Sequence, residues 1–181
     1  ELPSQLFENW CWEDELLSRY AHHYQTDEPI PEDLKRRLLR SHRFQKALFL
    51  MRQLEFALCD LRLHLEYDPD QPANPRAVLA EIREQIAVVA VPEWNRFLNS
   101  FSHIFGGGYS AGYYSYLWAE ELAADAWQAF RERGVFSAEA GHAFRKEVLA
   151  VGASRPALDS FVAFRGRPPQ PEPLLDSYGL L

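Results

Sequence analysis

A run of apolar residues between Phe44 and Leu65 constrains the fold more than any other part of the sequence. Its members are Phe44, Ala47, Leu48, Met51, Leu54, Leu58, Leu61 and Leu65. Because residues three and four positions apart share one face of an α-helix, this spacing predicts a long amphipathic helix. No stretch alternates apolar and polar residues for long, which a half-buried strand would require. The sequence therefore predicts an all-α fold.

The same spacing predicts further helices on both sides of this run. They cover residues 4–24, 32–40, 75–90, 111–133, 137–150 and 156–164. Asn74 and Ser137 are suited to cap the helices that follow them, and Gly134 is suited to end one. The proline-rich end, RGRPPQPEPLL, predicts an extended tail. No repeat or linker divides the chain, so we expect a single helical unit over residues 1–181.

Composition excludes several classes of function. Hydrophobic residues make up 47% of the 181 residues, which indicates a folded chain with a core. The net charge of −7 argues against binding to nucleic acid or to an anionic membrane, because both need a basic face. The two cysteines, Cys11 and Cys59, lack metal-motif spacing and are too few for a disulfide framework. We therefore expect a reducing, cytoplasmic setting.

The segment FSHIFGGGYSAGYYSYLW, residues 101–118, has the most unusual composition and is called the glycine–tyrosine segment below. Its three consecutive glycines give the backbone unusual freedom before a predicted helix. On a helix, Tyr109, Tyr113 and Tyr116 would share one face, whereas Tyr114 would point elsewhere. A face of hydroxyls beside a mobile hinge could line a substrate site. Ordinary packing of half-buried tyrosines would produce the same pattern.

Histidines and carboxylates offer few metal-binding patterns. No two histidines have the four-residue spacing of a helical zinc site. Five histidines are therefore interpreted as solvated or structural: His22, His23, His42, His64 and His142. His103 differs because it precedes the glycines, where it could contact a substrate or an oxyanion. Glu1, before a Pro3-Ser4 helix start, suggests by itself only a favourable interaction with the helix dipole.

Four motifs together resemble the thimet oligopeptidase family, and in particular its bacterial oligopeptidase A type. They are ELPSQLFENWCWE from Glu1, RQLEFALCDLRLH before the proline loop, FSHIFGGGYSAGYYSYLWAEELAADAW, and GASRP with FRGRPP and LLDSYGL near the end. The resemblance runs over the whole chain without an obvious gap. It implies a largely helical, clamshell-shaped zinc metallopeptidase of the zincin type, of which this chain is the C-terminal part.

The resemblance also implies roles for individual residues. The family motif E-x-P-S-Q corresponds to residues 1–5, which makes Glu1 the carboxylate ligand of zinc. His103, Tyr109 and Tyr116 correspond to residues that bind substrate and stabilise the tetrahedral intermediate, and Tyr113 is a weaker candidate. Gly107 and Gly108 belong to the flexible loop that contacts the substrate. The chain has GAS at residues 152–154 where the family often has GGS.

The HExxH helix of the family, with two zinc-ligating histidines and the general base, does not occur in this sequence. We therefore expect a fragment that hydrolyses short peptides only when an upstream segment completes it, and that is inactive and binds zinc weakly, or not at all, alone. Apolar surface left exposed would favour self-association or a partner segment. The alternative is a catalytically silent helical module that binds peptides or proteins.

Overall fold

The computed structural model describes residues 1–72 and 74–181, and within them it contains helices and no β-strand. The regular α-helices are α1 Leu2–Glu8, α2 Asp14–Tyr20, α3 Glu32–Arg43, α4 Lys46–Leu65, α5 Pro75–Ile86, α6 Phe97–Ser100, α7 Ser102–Phe105, α8 Ser115–Arg133, α9 Ala138–Phe144, α10 Ala157–Arg165 and α11 Glu172–Ser177. In this described part the nearest approach to a sheet is a single bridge between His22 and Pro29. The predicted all-α class is confirmed. None of these helices combines the length and the apolar character needed to cross a membrane.

The described residues form two compact units. The first comprises residues 1–44 and 118–181, and the second comprises residues 45–117. Helix α8 begins in the second unit, and most of its length lies in the first. The expectation that residues 1–181 form a single unit within a larger catalytic domain stays a prediction.

The first unit is built around aromatic side chains that pack against α8. Trp127 and Phe130 of α8 lie with their ring centroids 4.4 and 4.8 Å from that of Trp10. Phe144 and Phe164 extend the same cluster from α9 and α10. Buried alanines alternate with these rings along α8: Ala123, Ala126 and Ala129. Their small side chains let neighbouring helices approach closely while the aromatic rings fill the space between them.

A buried carboxylate holds the C-terminal tail onto this unit. Asp125 of α8 is fully buried and accepts hydrogen bonds from Arg165, from both terminal nitrogens of Arg167, and from the Gln170 backbone. Helix α11 follows, so the extended tail expected over residues 165–175 is wrong from residue 172 onward. Proline at the first turn of a short helix removes only a donor that would have no helical partner, which is why a proline-rich sequence can still form α11.

The predicted helix over residues 4–24 is also interrupted. Helix α1 ends at Glu8, one 3₁₀ turn covers Asn9–Trp12, and α2 begins at Asp14. Glu13 between them is extended, with φ −81° and ψ 130°. The break lets Trp10 turn inward, where its indole nitrogen donates to the Val135 carbonyl at 2.8 Å. A half-buried indole that needs an acceptor thus interrupts an otherwise continuous helical pattern.

In the second unit, α4 packs against α5 through a face that the spacing did not single out. Cys59 of α4 contacts Val78, Leu79 and Ile82 of α5 in one buried cluster. Burial raises the pKa of the Cys59 thiol to about 11. In contrast, members of the predicted apolar stripe are exposed, and Leu65 is 85% exposed. The helix itself is confirmed, but within the described residues the more deeply buried face carries polar groups.

Capping residues were predicted more accurately than helix ends. Asn74 accepts a hydrogen bond from the Arg76 backbone at the start of α5, and Ser137 accepts one from Ala140 at the start of α9. Helix α5 nevertheless ends at Ile86 instead of residue 90. The helix predicted over 137–150 changes at Arg145 into a wider π turn that runs to Leu149.

Candidate functional site: the glycine–tyrosine segment

The ring of His103 lies beside three tyrosine rings of the glycine–tyrosine segment. The distances between ring centroids are 6.2 Å to Tyr109, 5.6 Å to Tyr113 and 6.1 Å to Tyr116. Tyr109 and Tyr116 lie 4.8 Å apart, and Tyr113 lies 5.2 Å from Tyr116. Four of the residues singled out from the sequence are therefore gathered in one cluster, which we call the His–Tyr cluster. It combines one imidazole with three phenols.

A helix face does not gather the tyrosines, because α8 begins only at Ser115. Residues 110–114 form turns, and Ala111 has φ +53°, which is incompatible with the helix predicted from residue 111 onward. The prediction that the tyrosines lie together is correct in outcome, but the predicted helical face is wrong. Tyr114 is 39% exposed, and Tyr113 is buried.

The glycines fold back onto the helix before them. The backbone N–H groups of Gly106 and Gly107 both donate to the Ser102 carbonyl at 2.8 Å, and the Tyr109 N–H donates to the His103 carbonyl at 3.0 Å. A Cβ atom on Gly107 would lie 2.8 Å from the His103 Cα and 2.9 Å from its carbonyl oxygen. Real Cβ atoms do not approach backbone so closely, so this turn requires glycine at residue 107. Gly108 has φ +82°, a conformation that glycine adopts without strain.

Asp60 of α4 binds the backbone of the turn formed by residues 110–114. It is fully buried, and its two carboxylate oxygens accept hydrogen bonds from the N–H groups of Ala111 and Tyr113, each at 2.8 Å. The Nδ1 atom of His64 lies 3.0 Å from the same carboxylate. Asp60 does not stand out among the candidate residues of the sequence, although it lies in a motif that carries the resemblance. An acid inside an apolar helical run was the available signal, because a buried carboxylate needs partners.

Tyr113 joins the His–Tyr cluster to the core of the second unit. Its ring packs against Phe56 and Phe101 at centroid distances of 5.6 and 5.1 Å, both edge to face. Its hydroxyl donates to the Oε1 atom of Gln53 at 3.3 Å. Removal from water raises the pKa of this phenol, because burial disfavours the phenolate. Tyr113 therefore remains neutral, and its hydroxyl is already engaged with Gln53.

Glu1 lies in the first unit, where its side chain is exposed. Its carbonyl accepts hydrogen bonds from the Gln5 N–H and the Ser4 hydroxyl, so Glu1 lies at the N-cap position directly before α1. Residues 1–72 and 74–181 contain no group of three histidine, cysteine, aspartate or glutamate side chains that could hold a metal ion. The donors described here therefore do not fit a zinc ion by themselves. Glu1 offers one carboxylate.

Four of the five histidines outside the cluster have structural partners, and the fifth is solvated, in line with the expectation for them. His64 approaches the Asp60 carbonyl at 2.8 Å through Nδ1, and His42 stacks on Trp12 at a centroid distance of 4.0 Å. His22 pairs with Asp27, and the His23 ring accepts hydrogen bonds from a following turn. His142 is exposed on α9. None of these contacts brings one of the five into the His–Tyr cluster.

Comparison with known proteins agrees with the motifs. The sequence model described as Peptidase family M3 matches residues 1–180. Oligopeptidase A of Escherichia coli K12 is 52% identical over 180 residues, which are 99% of this chain and 26% of that protein. Oligopeptidase A of Haemophilus influenzae is 46% identical over 181 residues, which are 27% of that protein. Dipeptidyl carboxypeptidase of E. coli K12 is 36% identical over 183 residues, and the match covers 27% of that protein.

The chain therefore spans about a quarter of the length of the curated relatives that it matches. The matches cover nearly the whole chain, including the His–Tyr cluster and the turn that Asp60 holds. The resemblance drawn from the motifs is confirmed: this chain belongs to peptidase family M3.

Proposed function

We propose that the chain is part of a zinc-dependent metalloendopeptidase of the oligopeptidase type, which hydrolyses short peptides in the cytoplasm. Its membership of peptidase family M3 and its similarity to proteins named oligopeptidase A support this proposal. The proposed activity belongs to the full-length protein, which an upstream segment with an HExxH helix completes. In this proposal Glu1 supplies the third protein ligand of the zinc ion, while the other metal donors lie outside residues 1–181.

The observation that carries the proposal is the convergence of His103, Tyr109 and Tyr116 around a glycine turn. Peptide hydrolysis passes through a tetrahedral intermediate whose oxygen carries negative charge. Neutral phenols and an imidazole N–H can donate hydrogen bonds to that oxygen or to the peptide backbone. The rings of Tyr109 and Tyr116 lie 4.8 Å apart, so their hydroxyls can donate hydrogen bonds to neighbouring groups of one bound peptide.

We divide the roles in catalysis and substrate binding among the cluster residues according to how deeply each side chain is buried. We assign the oxyanion hydrogen bond to Tyr116, with His103 and Tyr109 as further donors to the intermediate and the substrate backbone. Tyr113, whose hydroxyl bonds Gln53, stays a weaker candidate for contact with the substrate. Gly107 and Gly108 present backbone without side chains, which permits a peptide to approach closely.

Replacing Tyr116 by phenylalanine in the full-length protein tests this assignment. The variant keeps the ring and removes only the hydroxyl, so we expect kcat for a quenched fluorescent peptide to fall about 100-fold with little loss of stability. Tyr114→Phe is the matched control, because it removes a phenol from an exposed neighbour. An unchanged kcat in Tyr116→Phe, with Tyr114→Phe also unchanged, would contradict the oxyanion role.

A silent helical module that binds peptides or proteins is the second candidate. Large exposed apolar side chains, such as Phe44 at 74% and Trp94 at 76%, favour it because they resemble contact surfaces. The same side chains support the expected self-association of the isolated chain. Incubating the chain of 181 residues with zinc and the peptide separates the candidates. If this chain alone cleaves the peptide and a chelator abolishes the cleavage, the proposal that it needs an upstream segment is wrong. If the full-length protein does not cleave the peptide either, the binding-module candidate is favoured.

A further inference from the structure

We infer that Asp60 is a positioning residue for the proposed reaction, acting through the backbone between Tyr109 and Tyr116. The inference rests on the proposed function, since it assigns Asp60 to the same reaction. Asp60 lies on α4, and its contacts on the turn lie 51 and 53 residues further along the chain. No local sequence pattern connects these positions, so the link exists only in the folded second unit.

The hydrogen bonds have the geometry of a two-point clamp. One carboxylate oxygen accepts the Ala111 N–H and the other accepts the Tyr113 N–H, each at 2.8 Å. Two fixed points two residues apart determine the direction of the chain between them. Ala111 has φ +53°, a conformation that costs a residue with a side chain about 1–2 kcal/mol. The clamp offsets that cost, because releasing it would leave a buried carboxylate with only the His64 ring as a neighbour.

The clamp sits between the two phenols that the proposal uses. Tyr109 precedes Ala111 by two residues, and Tyr116 follows Tyr113 by three. The Tyr113 ring is anchored in the core as well, through Phe56 and Phe101. Fixing Ala111 and Tyr113 therefore sets where the chain leaves Tyr109 and where it enters α8. The 4.8 Å spacing between the Tyr109 and Tyr116 rings depends on this turn.

Asp60→Asn breaks one of the two hydrogen bonds of the clamp with little change of side-chain shape. An asparagine has one carbonyl oxygen, so one of the two backbone N–H groups would face an NH₂ group that cannot accept. The matched control is Glu55→Gln, a second buried carboxylate on α4, which bonds Arg52 and Arg83 and not the turn. Both variants lose a buried charge on the same helix. Only Asp60→Asn should change the turn.

Two measurements on the variants separate positioning from stability. Amide hydrogen exchange in the chain should become at least tenfold faster at Ala111 or Tyr113 in Asp60→Asn than in Glu55→Gln. In the full-length protein, kcat for the quenched peptide should fall about 10- to 100-fold while KM changes less than threefold, because misplaced donors chiefly affect the transition state. Equal exchange in the two variants, or equal loss of kcat, would overturn the inference.

A rescue variant guards against a simple failure to fold. Adding Ala111→Gly to Asp60→Asn removes the strain at φ +53°, so the turn needs the clamp less. We expect the double variant to regain at least threefold in kcat, which a general packing defect in α4 would not permit; no recovery would overturn the inference. Faster exchange with an unchanged kcat would also overturn the positioning role. The proposed function would survive that result if Tyr116→Phe still lowers kcat.

Discussion

Replacing Asp125 by asparagine should strongly destabilise the unit formed by residues 1–44 and 118–181, although the change replaces one oxygen by an NH₂ group. The carboxylate is fully buried and accepts four hydrogen bonds. One oxygen accepts from Arg165 and Arg167, and the other from Arg167 and the Gln170 N–H. Whichever way the amide turns, its NH₂ group therefore faces two donors.

The expected loss of unfolding free energy in Asp125→Asn follows from the burial of the charged groups. Arg165 is only 8% exposed, so the variant would leave a buried cation with a weakened partner. Breaking a buried charge pair on one side costs about 3–5 kcal/mol. Glu132→Gln is the matched control, because Glu132 also bonds Arg165 with both oxygens, at 2.7 and 2.8 Å. Its side chain is 54% exposed, and exposed pairs contribute less than about 1 kcal/mol.

Urea unfolding followed by tryptophan fluorescence measures both variants, because Trp127 lies two residues from Asp125 on α8. With a slope of about 2 kcal/mol per molar urea, the Asp125→Asn midpoint should fall by roughly 2 M. The Glu132→Gln midpoint should fall by less than about 0.5 M on the same slope. Equal shifts for the two variants would refute the argument that burial decides the magnitude.

Three further predictions concern Gly107 and the two cysteines. Gly107→Ala should lower kcat/KM of the full-length protein for the peptide about 100-fold, because the added Cβ would displace the His103 backbone. Gly106→Ala is the control and should be nearly neutral, because its Cβ would meet only one oxygen, at 3.9 Å. Equal kinetics of the two variants would contradict this prediction. At pH 8 a disulfide reagent should modify exposed Cys11 and leave buried Cys59 intact until urea unfolds the chain. Folding raises the pKa of Cys59 to about 11, so the folded chain holds the thiol proton more tightly than the unfolded chain does. The free energy of unfolding should therefore decrease as pH rises from about 9 towards 11. An unfolding free energy that does not change over this pH range in a Cys11→Ser background would contradict the prediction.

Local patterns predicted the helices because they report on neighbours within one or two turns. The three-four spacing located α4, and the capping preferences located the starts of α5 and α9. The helix predicted over residues 4–24 failed where Trp10 needed the Val135 carbonyl, 125 residues away. The exposed Leu65 shows a similar limit: spacing identifies an apolar face without saying what covers it.

For the candidate site, the sequence by itself determined the chemical groups. It placed one histidine, three consecutive glycines and four tyrosines within residues 101–118, and its motifs indicated peptidase family M3. Only the tertiary structure decided how these groups meet. Asp60 draws the turn at Ala111 and Tyr113 onto α4, so that Tyr109 and Tyr116 meet across a turn instead of along a helix. A hydrogen bond that spans 51 residues leaves no periodic trace in the sequence, because it depends on which buried groups the fold brings together.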